Sequence, residues 1–318
     1  MSHAWNVFGK KFGRAVVYVS QSKCIYENLA FEEWLLRNFN IERNGEVLLL
    51  WSNSPSVVIG RHQIPWLEAN LTYMKQNQIK LARRHSGGGA VYHDQGKLIK
   101  ASVESNKRDD LLLQPGDRKI SGTAARIVHG RAYHHLTLLV DVDLSKLHNS
   151  LKSEYAKQII TNATTSVRAA AVGYLSQERD VNVGTIVNCL VSSFRNQYMV
   201  SIKVNKSLSL NLIRMVEKFL SEFLVYINIC YMFISLLFED SDVYNMVNIN
   251  NELLFPGIAA NISSLRSWEW IYGKSPKFTL NTPNNTFFID RGKIQAVDGP
   301  KKNFIGLTLV DDLSSLYH

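Results

Sequence analysis

The sequence predicts an α/β (α+β) protein with a sizeable core. Two observations predict it: short apolar runs bounded by turn residues read as strands, and longer stretches carry apolar residues at helical spacing. The chain has 318 residues, 46% hydrophobic and 20% charged. That balance is globular rather than disordered, and the length suits one large domain plus a small one.

The elements follow in order. Tyr26–Leu36 places Leu29, Trp34 and Leu36 near helical spacing, an amphipathic helix. Val47–Trp51 is a strand, Ser52-Asn53-Ser54-Pro55 a turn and Ser56–Ile59 the returning strand, so a hairpin is expected. Trp66–Gln78 reads as one helix. Leu81–Arg84 is a strand feeding a glycine loop, and Ala90–Tyr92 is the strand leaving it. Gln114-Pro115-Gly116 turns a second hairpin between Asp109–Leu113 and Asp117–Ala124. His134–Val140 is a strand, and Asp143–Leu151 a helix with Leu144, Leu147 and Leu151 on one face. Phe287–Val297 reads strand, turn, strand, and no internal repeat is visible.

The segment Val200–Asp242 differs, with an Ile, Asn, Lys, Tyr and Phe bias resembling translated AT-rich non-coding DNA. Its apolar run Phe223–Phe238 falls short of the ~20 residues that span a bilayer, so a buried helix is expected and no membrane partner.

The most informative stretch is Arg83-Arg84-His85-Ser86-Gly87-Gly88-Gly89-Ala90-Val91-Tyr92-His93. Glycines let backbone N–H groups approach a ligand, and a basic pair beside them suits an anion such as phosphate. The loop lacks the lysine and spacing of a P-loop and does not read G-x-G-x-x-G. A tight turn with solvated arginines is the plainer alternative.

The formal net charge is +9, which favours an acidic partner. No nucleic-acid-binding module accompanies it, so nucleic acid is not expected. Cys24, Cys189 and Cys230 are far apart without C-x-x-C spacing, against a disulfide framework or zinc knuckle. His134 and His135, adjacent on a strand, should face opposite ways and be structural. No metal site is expected. Met1–Arg14 carries Lys10, Lys11 and Arg14 and no acid, as part of a mitochondrial presequence would.

Several segments together resemble the family of lipoate–protein ligase A and the mitochondrial lipoyltransferases. In order they are Glu27-Asn28-Leu29-Ala30, Val57–Trp66, the glycine loop with Tyr92-His93-Asp94, and Arg108-Asp109-Asp110-Leu111. Lys119–Ala124, Tyr133–Leu139, Asn162-Ala163-Thr164, Leu254-Phe255-Pro256-Gly257 and Trp268-Glu269-Trp270 follow. The resemblance implies the mixed-sheet biotin-ligase/lipoyl-transferase catalytic fold. It implies transfer of a lipoyl group from lipoyl-AMP, or from ATP plus lipoate with Mg2+, to a lysine of lipoyl-domain proteins. Those acceptors are 2-oxoacid dehydrogenase E2 subunits, with the glycine-cleavage H protein as a possible donor. The mitochondrial matrix and a monomeric state go with it.

Under that resemblance Lys119 is the expected catalytic residue, its ammonium bridging phosphate and carbonyl oxygens. Arg84 and the backbone of Gly87, Gly88, Gly89, Ala90, Val91 and Tyr92 would hold the adenylate. Arg108 would be a second cation, and Thr137, Val167 and Ala169 would line the pocket. No cysteine is placed as a nucleophile, unlike in the octanoyltransferase relatives.

The sequence also departs from the family. Only Gln95–Lys107 separates Asp94 from Arg108, where the family has several dozen residues, and Lys97 stands near a family asparagine. A central strand and helix are therefore expected to be missing. Residues 1–280 are read as the catalytic domain, with 200–242 inserted, and 281–318 as a partial C-terminal domain. An inactive remnant that still binds lipoyl-AMP or lipoyl domains is the alternative, as is a biotin-ligase-like enzyme.

Overall fold

The computed structural model describes residues 15–94, 102–105, 110–177, 183–184, 186–195, 245–309 and 313–317. The block 200–242, Arg108 and Lys97 lie outside them. In chain order the elements are β1 (Ala15–Ser20), α1 (Ile25–Asn38), α2 (Ile41–Asn44), β2 (Glu46–Leu50), β3 (Ser56–Ile59), α3 (Pro65–Glu68), α4 (Leu71–Gln76), β4 (Lys80–Arg83) and β5 (Val91–His93). There follow β6 (Ser102–Ser105), β7 (Leu111–Gln114), β8 (Arg118–Lys119), β9 (Ser121–Val128), β10 (Arg131–Leu138), α5 (Leu144–Leu151), β11 (Ile159–Ile160) and α6 (186–195). The last are β12 (Asn245–Val247), α7 (Ile258–Arg266), α8 (Trp268–Ile271), β13 (Phe278–Asn281), β14 (Thr286–Asp290) and β15 (Lys293–Asp298).

Two compact units result. The first takes residues 15–21, 37–51 and the described parts of 182–248, around a parallel sheet ordered β12-β1-β2. The second takes 22–36, 52–177 and 249–317 where described. Its sheets are β4-β3-β5, β6-β7-β8, the β9-β10 hairpin and β11-β13-β14-β15. Residues 286–298, read from sequence as part of a C-terminal domain, join this unit through β13 and β11.

The core of the second unit is apolar and aromatic. Ile59, Trp66, Leu280 and Phe287 are fully buried, and Trp66 packs 5.3 Å from Tyr272 and 5.8 Å from Phe278. Each such side chain contributes about 1.5–3 kcal/mol by leaving water. Helix α1 buries Ile25, every residue from Asn28 to Glu33, and Leu35 and Leu36, so it is enclosed on all sides rather than along one face.

Three expectations are corrected. The hairpin across Ser52–Pro55 does not form. β2 pairs with β1, whereas β3 takes β4 on one side and β5 on the other. All four β3 residues are buried, and a strand buried on both faces takes partners at both edges. The helix read over Trp66–Gln78 is two short helices, because the Asn70 side chain accepts from the Tyr73 N–H at 2.9 Å and starts α4 anew. Lastly, β6 lies within Gln95–Lys107 and pairs antiparallel with β7, so that stretch does supply a strand.

The β9-β10 hairpin turns at His129 and Gly130, with φ of 48° and 74°. Positive φ at both positions matches the right-handed twist of the strands. Along β10 the exposed residues Ala132, His134 and Leu136 alternate with Tyr133, His135 and Thr137. The two adjacent histidines therefore face opposite ways, as read from the sequence.

Candidate active site

The glycine loop links β4 to β5 and is shaped from inside by Arg84. Its guanidinium is buried and meets oxygens on all three nitrogens. Nε donates to Ser86 Oγ at 3.1 Å, Nη1 to Val58 O at 3.1 Å, and Nη2 to Gly87 O at 2.6 Å and Gly89 O at 2.8 Å. In a trans peptide the next N–H points opposite the carbonyl. Drawing the Gly87 and Gly89 carbonyls onto Arg84 thus turns the Gly88 and Ala90 N–H groups outward. The Ala90 N–H meets an oxygen acceptor, Ser166 Oγ, at 2.7 Å. Arg84 gives the loop its polarity while its own donors face inward. Burial lowers its pKa to about 10, with Glu32 and Tyr133 opposing, so it stays charged.

Glycine is required at two points of this arrangement. Gly88 has φ of 88°, a conformation other residues rarely take. A Cβ on Gly60 would stand 2.1 Å from the Gly88 carbonyl oxygen, so the loop closes only against a bare Cα.

Arg83 turns the other way and is equally buried. It donates to the carbonyls of Arg61, Gln63, Trp270 and Ile271 at 2.6 to 3.0 Å and to Ser275 Oγ at 3.2 Å. It ties the 60–63 turn and the Trp268-Glu269-Trp270 segment to β4. Burial, with Arg61 adding, lowers its pKa to about 9.

Polar side chains extend outward from the loop. Ser86 Oγ is 3.1 Å from His135 Nε2, and His135 Nδ1 is 2.9 Å from Glu32 Oε2. Glu33 is paired with Arg126. The Asn28 amide donates to Asn53 Oδ1 at 2.8 Å, and the Asn53 amide lies 2.7 Å from His93 Nδ1. Burial pushes His93 down to about 4, with Arg84 and His135 adding. Burial likewise pushes His85 to about 4 against the pull of Glu33. Both rings are neutral near pH 7.

The structure distributes the remaining expected residues. Tyr92 sits in the apolar core, its hydroxyl 3.3 Å from Asp94 Oδ2, and burial raises its pKa. Thr137 pairs with Gly122, and a side chain at Gly122 would meet both Thr137 and Val91, so the β9-β10 hairpin abuts the loop exit. Lys119 ends β8. Its ammonium lies 2.7 Å from Asp110 Oδ1, and its side chain is 32% exposed. Its backbone is held by Ala171 and Gly173 at 3.0 and 3.1 Å. Val167 and Ala169 are exposed. They follow the residue that does reach the loop, Ser166, whose Oγ accepts from Gln63 Nε2 at 3.0 Å as well as from Ala90.

Sequence reasoning missed Ser166, Asp110, Gln63 and the Glu32–His135–Ser86 chain. Asp110 carried a signal, standing next to Leu111 in the segment from which only Arg108 was chosen. For Ser166 there was none, since its partner is a backbone N–H 76 residues away.

The unit is of mixed α/β class, with an outward-facing N–H loop and a separate lysine–aspartate pair. The profile of the lipoyl protein ligase A/B catalytic domain matches residues 24–103 and 98–195. The two stretches meet inside Gln95–Lys107, where the sequence departs from the family. The chain is 36% identical over 295 residues to mitochondrial lipoyl amidotransferase LIPT1 of Mus musculus, covering 84% of this chain and 68% of that protein. The Homo sapiens counterpart is 36% identical over 303 residues, with 86% and 70% covered. Lipoate-protein ligase A of Bdellovibrio bacteriovorus is 31% identical over 291 residues, with 83% and 73% covered. The crystal structure of P. falciparum LipL1 in complex with lipoate shares the fold, with a TM-score of 0.57 at 20% identity, covering 89% of this chain and 84% of that one. The chain belongs to the lipoyl protein ligase A/B catalytic-domain family.

Proposed function

We propose that this protein transfers a lipoyl group from lipoyl-AMP to a lysine of lipoyl-domain proteins, the E2 subunits of 2-oxoacid dehydrogenases, in the mitochondrial matrix. The observation that carries the reading is the polarity of the glycine loop, which Arg84 imposes from within. The relatives' names, lipoyl amidotransferase and lipoate-protein ligase, support the chemistry, and the word mitochondrial in two of them supports the compartment.

Lipoyl-AMP is a mixed anhydride. A phosphate oxygen would take the place of Ser166 Oγ at the Ala90 N–H, with the Gly88 N–H as a second donor. The Lys119 ammonium would bridge the phosphate and the acyl carbonyl, where negative charge grows as the acceptor amine attacks. The new N–C bond forms, the C–O bond to phosphate breaks, AMP leaves with the bonding electrons, and the nitrogen gives up one proton to water. Should the adenylate be made here from ATP and lipoate, Mg2+ would ride mainly on the phosphates. Among the described residues no group of three His, Cys, Asp or Glu side chains is placed to hold a metal. A lipoyl H protein would serve as an amide donor in the amidotransferase version.

The test is intact-mass analysis of an apo lipoyl domain incubated with the protein and synthetic lipoyl-AMP. A lipoyl-mass shift that Lys119→Ala removes is expected. Tight lipoyl-AMP binding with no shift would establish the inactive remnant instead.

A further inference from the structure

We propose that the outer face of the β11-β13-β14-β15 sheet is the docking surface for the acceptor domain, which meets it with an acidic surface around an apolar centre. The inference rests on the lipoyl-transfer reading and adds where the second substrate is seated. Phe278, Leu280, Phe287 and Ile289 point into the core. Side chains alternate along a strand, so Thr279 and Phe288 point outward. The register sets Ile160, Thr279, Phe288 and Ala296 in one row across the four strands. Ile160 is 62% exposed and Phe288 45%. Two large apolar side chains thus share one open row of the sheet.

Charge says what fits there. In the next row Asp290 pairs in register with Lys293 and lies 3.8 Å from the Lys277 ammonium. The Lys277 side chain is 83% exposed, and Lys293 and Arg291 are exposed beside it. Three cations against one carboxylate border the apolar row at this end, and Asp298 stands at the other end, opposite Thr286. The excess is basic and the whole chain carries +9, so a second copy is repelled where an acidic domain is drawn in. Size argues the same way. Four strands about 4.8 Å apart and about 17 Å long offer roughly 250 Å². A lasting dimer needs about 1,000 Å² or more on each side. A substrate that must dock and then leave can use a smaller centre.

The basic end is also the end from which the chain runs to the glycine loop. It leaves β11 at Thr161, whose Oγ1 donates to Lys277 O at 3.0 Å. Ser166, five residues on, meets the Ala90 N–H. Five residues span at most about 18 Å. A standard interface of about 800 Å² per partner is about 30 Å across. A domain centred on the Ile160–Phe288 row is therefore wide enough to cover the basic row and the loop mouth together, where a protruding lysine meets the adenylate.

Two nucleophiles separate docking from damage to the site. Hydroxylamine needs no docking surface, whereas the lysine of an apo lipoyl domain arrives on a whole domain. With lipoyl-AMP at low ionic strength, the double variant Lys277→Glu, Lys293→Glu is expected to raise KM for the lipoyl domain about tenfold, with kcat within about twofold. The difference from wild type should fade as salt is added. Phe288→Ser should raise KM about fivefold, while Ile127→Ser, at an 80% exposed apolar residue on β9, should leave it unchanged. Hydroxamate formation should stay at the wild-type rate in all three. An unchanged KM in the double variant, an equal rise in Ile127→Ser, or equal losses with both nucleophiles would overturn the proposal. A wild-type protein that acylates neither nucleophile would instead sink the lipoyl-transfer reading itself.

Discussion

The glycine loop and the Lys119 corner lie in one compact unit yet are held by different means. In the loop, Arg84 spends all three nitrogens on oxygens of the protein, and Gly60 and Gly88 are pressed together so that a single added carbon would not fit. At the corner, the backbone is equally fixed, but the Lys119 ammonium, paired with Asp110, has a side chain one-third open to water. The loop's donors are set before any ligand arrives, while the lysine end of the corner is open to solvent. Preorganised donors hold a ligand at little reorganisation cost.

The largest expected effect tests the corner. Lys119→Ala should cut lipoyl transfer by about 1000-fold, while lipoyl-AMP still binds to the folded protein. A comparable fall in binding would mean that the corner also builds the site. Next comes the loop. Arg84→Met removes a buried cation and leaves the Gly87 and Gly89 carbonyls unpaired, so about 3 kcal/mol of stability should be lost in urea unfolding, together with lipoyl-AMP binding. Normal binding in a folded Arg84→Met protein would refute the idea that Arg84 sets the loop's polarity.

Acid should attack the loop's surroundings as well. His93 is held at about 4 when folded against 6.5 in the free state. Between those values the unfolded chain takes up a proton that the folded one refuses. Stability is therefore flat above pH 6.5 and falls as the pH drops toward 4, by about 2 kcal/mol at pH 5 from this residue. Chemical unfolding of wild type and His93→Gln at pH 7 and pH 5 measures it, and parallel losses in the two proteins would contradict the assignment. The smallest effect is Ser166→Ala. With its hydroxyl gone, the Ala90 N–H is left to the ligand, and calorimetry should show lipoyl-AMP binding up to about fivefold tighter. Weaker binding would make Ser166 a ligand contact rather than a stand-in.

The sequence made some of this visible and concealed the rest for identifiable reasons. Three consecutive glycines announce a tight loop between two strands, because backbone conformation depends on residue type. The turn at Gln114-Pro115-Gly116 was legible on the same grounds, and the helix at Asp143–Leu151 from the spacing of Leu144, Leu147 and Leu151. Where the Arg84 side chain goes is not a local matter, since its acceptors are carbonyls that any residue would offer. The same holds for Ser166 on Ala90 and for Asp110 on Lys119. The link Ser52–Pro55 misled because two apolar runs around a proline turn look alike whether they pair with each other or with other strands. At Asn70 the break comes from a side-chain cap on the Tyr73 N–H, which the apolar pattern on either side does not register.

Arg83 and Arg84 leave a last consequence. Two guanidinium groups lie buried at the base of the loop, bonded to carbonyls, with pKa values near 9 and 10 that keep both charged. Mobile ions cannot enter to shield them, so their field reaches the loop mouth through protein rather than electrolyte. Capture of an adenylate should then be nearly indifferent to ionic strength. Docking of an acidic domain onto a chain of net charge +9 should fade as salt rises. The two substrates of one reaction would answer differently to the same change of medium.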